Sequence, residues 1–228
     1  MNIKGYIIIK SIKKMIFERI KEHQRGWAFS AHDFIHEFNR GEIDDSLSTL
    51  TEDGEIRRVI RGIYDYPIFN DLLSTKEAPN IDLVANAIAR KFGWKIYPSG
   101  STVLNNLSLS KYAAIHEHTA STIQVPEKNI FLIDGPNKKY NIGNQCIEFK
   151  HISQKIFTLK YLHTAEVIQA IKAVGKNQIT NEFLNKLSEK YTFTEWEQIK
   201  TDASNSSGWV YEIIKEICNE IIYYNIYR

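Results

Sequence analysis

Apolar positions in the first 67 residues change rhythm several times, and the order of the changes predicts a definite string of elements. Residues 1 to 10 read as a short strand-like lead. Ile12, Met15, Ile16, Phe17 and Ile20 then fall on one face of a helix whose other sides carry Lys13, Lys14, Arg19 and Lys21. Ser30 followed three residues later by Asp33 is a capping-type start, and Ala31, Phe34, Ile35 and Phe38 keep helical spacing behind it. Asn39, Arg40 and Gly41 interrupt that pattern. Ile43, Leu47 and Leu50, at i, i+4 and i+7, predict a second helix from Glu42 to Asp53. After the turn dipeptide Asp53-Gly54, Ile56, Val59 and Ile60, then Ile63 to Tyr66, read as two short strands joined at Arg61-Gly62. Helix, turn, helix, hairpin is the order of a winged helix-turn-helix, and Pro67 closes it.

The stretch after the hairpin, Ile68 to Asn80, holds Asn70-Asp71, Ser74 and Pro79 and reads as a linker with one short helical turn. Ile81 to Phe92 is an amphipathic helix ended by Gly93, followed by a strand at Trp94–Tyr97 and a helix from Ser101 to about Leu107. Strand patterns come next at Ile123–Val125, Asn129–Ile133, Tyr140–Ile142 and Cys146–Phe149, the last two around Gly143-Asn144. From about His163 the period is helical, with Thr164, Thr180, Thr194 and Ser207 as caps. The expected class is α+β: a winged helix-turn-helix domain over 1–67, a linker over 68–80, and a mixed α/β domain over 81–228 with a helical C-terminal part.

Composition narrows the setting. At 228 residues and 43% hydrophobic the chain can build its cores without staples. Cys146 and Cys218 have no paired spacing, which suggests reduced thiols in a cytoplasmic protein. The apolar run Tyr6–Ile9 is too short for a secretory core or a membrane span, so a soluble protein without membrane contact is expected. A net charge of +2 gives no global nucleic-acid signal, and any basic surface must be local.

Most catalytic patterns fail for want of one residue type. His32 and His36 lie four apart, but no glutamate follows the first histidine as the zinc-protease signature requires. His116 and His118 have no third ligand nearby. Ser99-Gly100-Ser101 lacks the Gly-Lys-Ser/Thr ending of a phosphate-binding loop. Gly100-Ser101 invites comparison with nucleotidyltransferases, yet residues 109–114 hold no carboxylate to carry magnesium. No Gly-x-Ser-x-Gly elbow is present either. The expectation is a non-enzymatic protein with no cofactor and no metal.

Local charge is more informative. Arg57, Arg58 and Arg61 cluster at the hairpin, where they can straddle a phosphate backbone or enter a minor groove. The preceding helix carries Glu42, Asp44, Asp45, Glu52 and Asp53 and, from Glu42 on, no Lys or Arg. Ser48 and Thr49 are its neutral base-reading candidates. The expected DNA contacts are Arg57, Arg58, Arg61, Ser48 and Thr49, with Lys13 and Lys14 from the first helix. A second basic stretch, residues 138–160, sets Lys138, Lys139, Lys150, Lys155 and Lys160 against Glu148 alone, which nominates Lys138, Lys139, Lys150 and Lys155 for an acidic partner. Aromatic residues at Phe183, Tyr191, Phe193 and Trp196, and at Trp209, Tyr223, Tyr224 and Tyr227, fit a helical core.

Several short runs fall in a familiar order. They are Arg25-Gly26-Trp27; Ile56-Arg57-Arg58; Arg61-Gly62-Ile63-Tyr64-Asp65-Tyr66-Pro67; Pro98-Ser99-Gly100 before a helix ending Asn106-Leu107-Ser108-Leu109-Ser110; and Gln124-Val125-Pro126 leading to Phe131-Leu132-Ile133-Asp134-Gly135-Pro136. Over roughly residues 12 to 152 the chain resembles the AbiEi-type antitoxins of type IV toxin–antitoxin systems. The resemblance implies an N-terminal winged helix that represses its own operon by binding operator DNA. It also implies a C-terminal domain that counters a nucleotidyltransferase-like toxin without needing a stable complex. This chain departs from the pattern in its acidic second helix and in an insertion over residues 111–123. The alternatives are a protein-interaction module whose winged helix binds no DNA, and a solitary transcriptional regulator.

Overall fold

The computed structural model describes residues 11–112, 127–152 and 158–226, and the chain divides into two compact units, 1–94 and 95–228. The class is mixed α+β.

In the first unit, α1 (Ile12–Glu22) starts where the Ser11 hydroxyl accepts from the Lys14 N–H at 3.3 Å. It buries Ile16 and Ile20, while Met15 stays 41% exposed. Strand β1 (Ala28–Phe29) is too short for alternation to reveal. The capping motif at Ser30 and Asp33 is present, with the Asp33 carboxylate accepting from Ser30 N at 2.8 Å. It opens a single 3-10 turn, Ala31–Phe34, and not a helix reaching Phe38. The Phe34 carbonyl accepts from the N–H groups of both Glu37 and Phe38 at 3.1 Å, which closes the turn.

Helix α2 (Arg40–Glu52) begins two residues earlier than its apolar spacing suggests, because Glu42 reaches back to accept from Asn39 N at 3.3 Å. Asn39 therefore caps the helix and Arg40 belongs to it. Ile43, Leu47 and Leu50 point inward and join Ile16, Ile20, Phe29, Phe34 and Ile56 in one core. Each such side chain contributes about 1.5–3 kcal/mol of burial. Gly54, at φ +74°, turns the chain into β2 (Arg57–Ile60), and Gly62, at φ +75°, turns it again into β3 (Ile63–Asp65). The three strands form an antiparallel sheet in the order β1-β3-β2.

The stretch expected to be a linker is structured. Strands β4 (Phe69–Asn70) and β5 (Thr75–Lys76) pair as a hairpin, held to the turn between α2 and β2 by Lys76 Nζ donating to the Gly54 carbonyl at 2.7 Å. Helix α3 (Ile81–Phe92) then packs back on β1, the 3-10 turn and β3, burying Ile81, Val84, Ala85, Ala87, Ile88 and Ala89. Arg90 fastens it, donating to Asp33 and to the Ala28 carbonyl, each at 2.8 Å. So the helix expected to open the second domain completes the first unit, and the boundary falls at 94/95. Amphipathicity shows that a helix has a buried face; it does not say which neighbour covers it.

The second unit is built on a four-stranded sheet, β6 (Ile96–Ser99), β7 (Glu127–Ile133), β8 (Lys138–Ile142) and β9 (Gln145–His151). The order is β6-β7-β9-β8, with β7 and β9 parallel and the other pairs antiparallel. Gly143 turns the β8–β9 hairpin where the sequence places it. A short helix α4 (Ser101–Asn106) comes after β6. Four more, α5 (Leu162–Val174), α6 (Asn181–Ser188), α7 (Phe193–Asp202) and α8 (Gly208–Ile226), bury Val167, Ile171, Phe183, Leu187, Trp196 and Ile214 together. Thr180 caps α6 as expected. Thr192, not Thr194, caps α7, and Thr164 lies buried inside α5. Phe193 is 46% exposed, unlike its neighbours in the aromatic series. Cys146 and Cys218 are both free and buried. Among the described residues no helix is long and apolar enough to cross a membrane. The expected lead over 1–10 and strand over Ile123–Val125, most of the insertion, His116, His118 and Tyr227 lie outside the described residues.

Candidate nucleic-acid interface

The β2–β3 hairpin brings the three arginines to one place but gives them different roles. In a regular ladder with a two-residue turn and Ile60 opposite Ile63, Arg58 would stand opposite Asp65. A register shift between Arg58 and Ile60 changes that: Arg58 lies opposite Tyr64, and Arg57 lies opposite Asp65. Arg57 Nε donates to Asp65 Oδ1 at 3.0 Å, its Nη2 donates to Oδ2, and its Nη1 donates to the Glu77 carbonyl at 2.7 Å. The Asp65 side chain is 3% exposed. Arg57 thus neutralises a buried carboxylate and ties the two hairpins together, a scaffold role in place of the DNA contact expected for it. A nucleic acid would have to break this fork to use it. Arg58 and Arg61 reach solvent at the hairpin, and among the described residues neither forms an ion pair or side-chain hydrogen bond.

Other cations gather near the turn. A Cβ built on Gly62 would stand 2.8 Å from Lys91 Nζ, so the end of α3 brings an ammonium beside Arg61. The sequence pattern does not reveal this, because it places α3 in the other domain. Lys14 is exposed. Lys13 is engaged by Asp53 at 3.0 Å, with both side chains over 40% exposed.

The acidic helix is less negative than its composition implies. Asp53 is paired with Lys13, and Asp44 with Arg40 at 2.8 Å. Such exposed pairs add little stability, but they do cancel charge. Glu42 sits in the first turn of α2, where the helix dipole favours it. Among the described residues, Asp45 and Glu52 are the outward carboxylates of α2 left without a cation. Thr49 Oγ1 donates to the Asp45 carbonyl at 2.9 Å and Ser48 Oγ to Glu52 at 3.3 Å. With their hydrogens engaged, both hydroxyls present acceptor lone pairs, suited to adenine or cytosine amino groups.

Candidate chemistry elsewhere disperses. His32 lies in the 3-10 turn and His36 beyond it, so the i,i+4 relation of an α-helix does not hold between them. Among the described residues no group of three His, Cys, Asp or Glu could hold a metal ion. The loop Ser99-Gly100-Ser101 is committed internally: Ser99 Oγ donates to Gln169 at 3.2 Å, and the neighbouring Thr102 Oγ1 accepts from Ile130 N at 2.8 Å. Strand alternation splits the basic stretch 138–160. Lys138 lies opposite Phe149 and Lys139 opposite Glu148, so the two lysines share no face. Lys150 sits beside Glu148 at 3.9 Å, and Lys155 is outside the described residues.

Among curated proteins none matches the chain. A protein-family profile, described as a family of unknown function (DUF6088), matches residues 15–198. That span takes in both hairpins of the first unit and most of the second, and the chain belongs to DUF6088.

Proposed function

We propose that the first unit is a winged helix-turn-helix that binds duplex DNA upstream of its own gene through the β2–β3 hairpin. The observation that carries this reading is the pair Arg58 and Arg61, open to solvent on a hairpin braced from below by the Arg57–Asp65 fork. The order of α1, β1, the 3-10 turn, α2, β2 and β3, with β3 central in its sheet, supports it. The two guanidinium groups can each neutralise a phosphate, and Asp45 and Glu52 oppose deep entry of α2 into a groove. The hairpin therefore dominates the contact, and Ser48 and Thr49 add a limited reading of base amino groups.

The resemblance to AbiEi-type antitoxins extends the proposal to a non-enzymatic cytoplasmic antitoxin. Its second unit would counter a nucleotidyltransferase-like toxin, and its first would repress the shared operon. A second reading draws on Asp45 and Glu52: the first unit docks a basic protein through α2 and binds no DNA. An electrophoretic shift with the gene's own upstream fragment, run beside a pull-down, separates the two. A shift lost in the Arg58→Ala/Arg61→Ala double variant supports the first reading. Capture of a protein partner with no shift, abolished by Asp45→Asn/Glu52→Gln, supports the second.

A further inference from the structure

The second unit contains a cavity of about 1520 Å³ lined by α5 and the residues just before it, α7, the turn after α7, Leu132 of β7 and Ile152 just past β9. Small-molecule pockets usually measure about 300–1,000 Å³, so a ligand of several linked groups fits. Its lining mixes serine and threonine hydroxyls and two carboxylates, Glu197 and Asp202, with three further groups. Leu132, Ile152 and Ile168 form an apolar floor. Gln169, Gln198 and Asn205 contribute side-chain amides, which carry donors and acceptors together. Lys160 and Lys172 supply two exposed ammonium groups, neither of them paired with a carboxylate among the described residues.

The polar groups of the lining differ in how far the fold engages them. Gln169 is only 6% exposed; its carbonyl oxygen accepts from Ser99, and among the described residues its amide nitrogen has no acceptor. Glu197, also on the lining, pairs its Oε1 with the Lys200 ammonium at 3.9 Å, and Ser206 Oγ is buried without a hydrogen-bond partner. Asp202 is committed elsewhere. Its carboxylate accepts from the backbone N–H groups of Lys160 and Tyr161 at 2.9–3.1 Å, which fixes the rim without neutralising the Lys160 ammonium.

We infer that this cavity binds a nucleotide. The apolar floor takes the face of the base, and the amides read its edge. Glu197, whose Oε1 faces Lys200, accepts from ribose hydroxyls through its other carboxylate oxygen, as acidic residues do in other nucleotide sites. The two ammonium groups meet the phosphates. The inference is independent of the DNA reading, since every residue it uses belongs to the second unit.

The test is fluorescence titration of the full chain with N-methylanthraniloyl-ATP and -GTP, competed by unlabelled nucleotides, adenosine and inorganic triphosphate. Saturable binding is expected, displaced by nucleoside triphosphates. The Lys160→Ala/Lys172→Ala variant should bind about 100-fold more weakly, at roughly tenfold per charged contact, with an unchanged melting temperature. Gln198→Ala should weaken nucleotides but leave inorganic triphosphate unaffected. No saturable binding, or equal affinity in the double-lysine variant, overturns the inference. Inorganic triphosphate competing as well as ATP overturns its nucleoside part.

Discussion

At the scale of single residues, Arg57 shows how a one-residue slip in a strand redistributes function. Three similar arginines stand in a run of five residues, and the shifted register assigns one to the scaffold and leaves two facing solvent. Removing one partner of a buried pair strands the other charge, at about 3–5 kcal/mol. Arg57→Ala should therefore lower stability by about that amount in denaturant unfolding. Arg58→Ala and Arg61→Ala should stay within about 0.5 kcal/mol of the parent, as exposed positions do. Equal losses at all three positions would contradict the division of roles. The cluster was legible in the sequence because it sits at a turn dipeptide. Which arginine meets Asp65 was not, since that depends on a bulge that no local pattern announces.

At the scale of elements, the apolar period located α1, α2 and α3, and the glycine turns located the hairpins β2–β3 and β8–β9. These are local signals, carried by spacing and by backbone conformations that favour glycine. Ends were less legible. The start of α2 is set by Glu42 folding back on Asn39, and the start of α7 by a capping box between Thr192 and Glu195. Glu195 accepts from the Thr192 N–H at 2.7 Å and from its hydroxyl at 2.8 Å. The backbone bond first, then the hydroxyl, hold its carboxyl below the ordinary glutamate value. A depressed value means the stabilisation is present above the unfolded pKa, about 4.3, and is lost as pH falls through the folded one. Glu195→Gln should accordingly melt below the parent at pH 7, with the gap closing under about pH 4. A gap independent of pH would assign the loss to packing.

At the scale of the whole molecule, the boundary between units was the least legible feature, because a helix shows its apolar face but not the surface that covers it. Ile81, Val84 and Ile88 of α3 are each buried against the first unit's own elements. At about 1.5–3 kcal/mol apiece they approach the total stability of a small domain, about 5–15 kcal/mol. A fragment of residues 1–94 should unfold cooperatively by circular dichroism, whereas 1–80 should not. A folded 1–80 fragment would return α3 to the second unit.

The first unit's proposed function depends on two guanidinium groups at one hairpin anchoring the protein to a duplex. The most direct measurement is the dependence of the DNA association constant on salt, for the parent chain and for Arg58→Ala/Arg61→Ala. Each lost phosphate contact reduces the slope of log K against log salt by about 0.9, so the double variant should be shallower by about 1.8. Identical slopes, or a parent chain that does not bind its upstream DNA at low salt, would contradict the account.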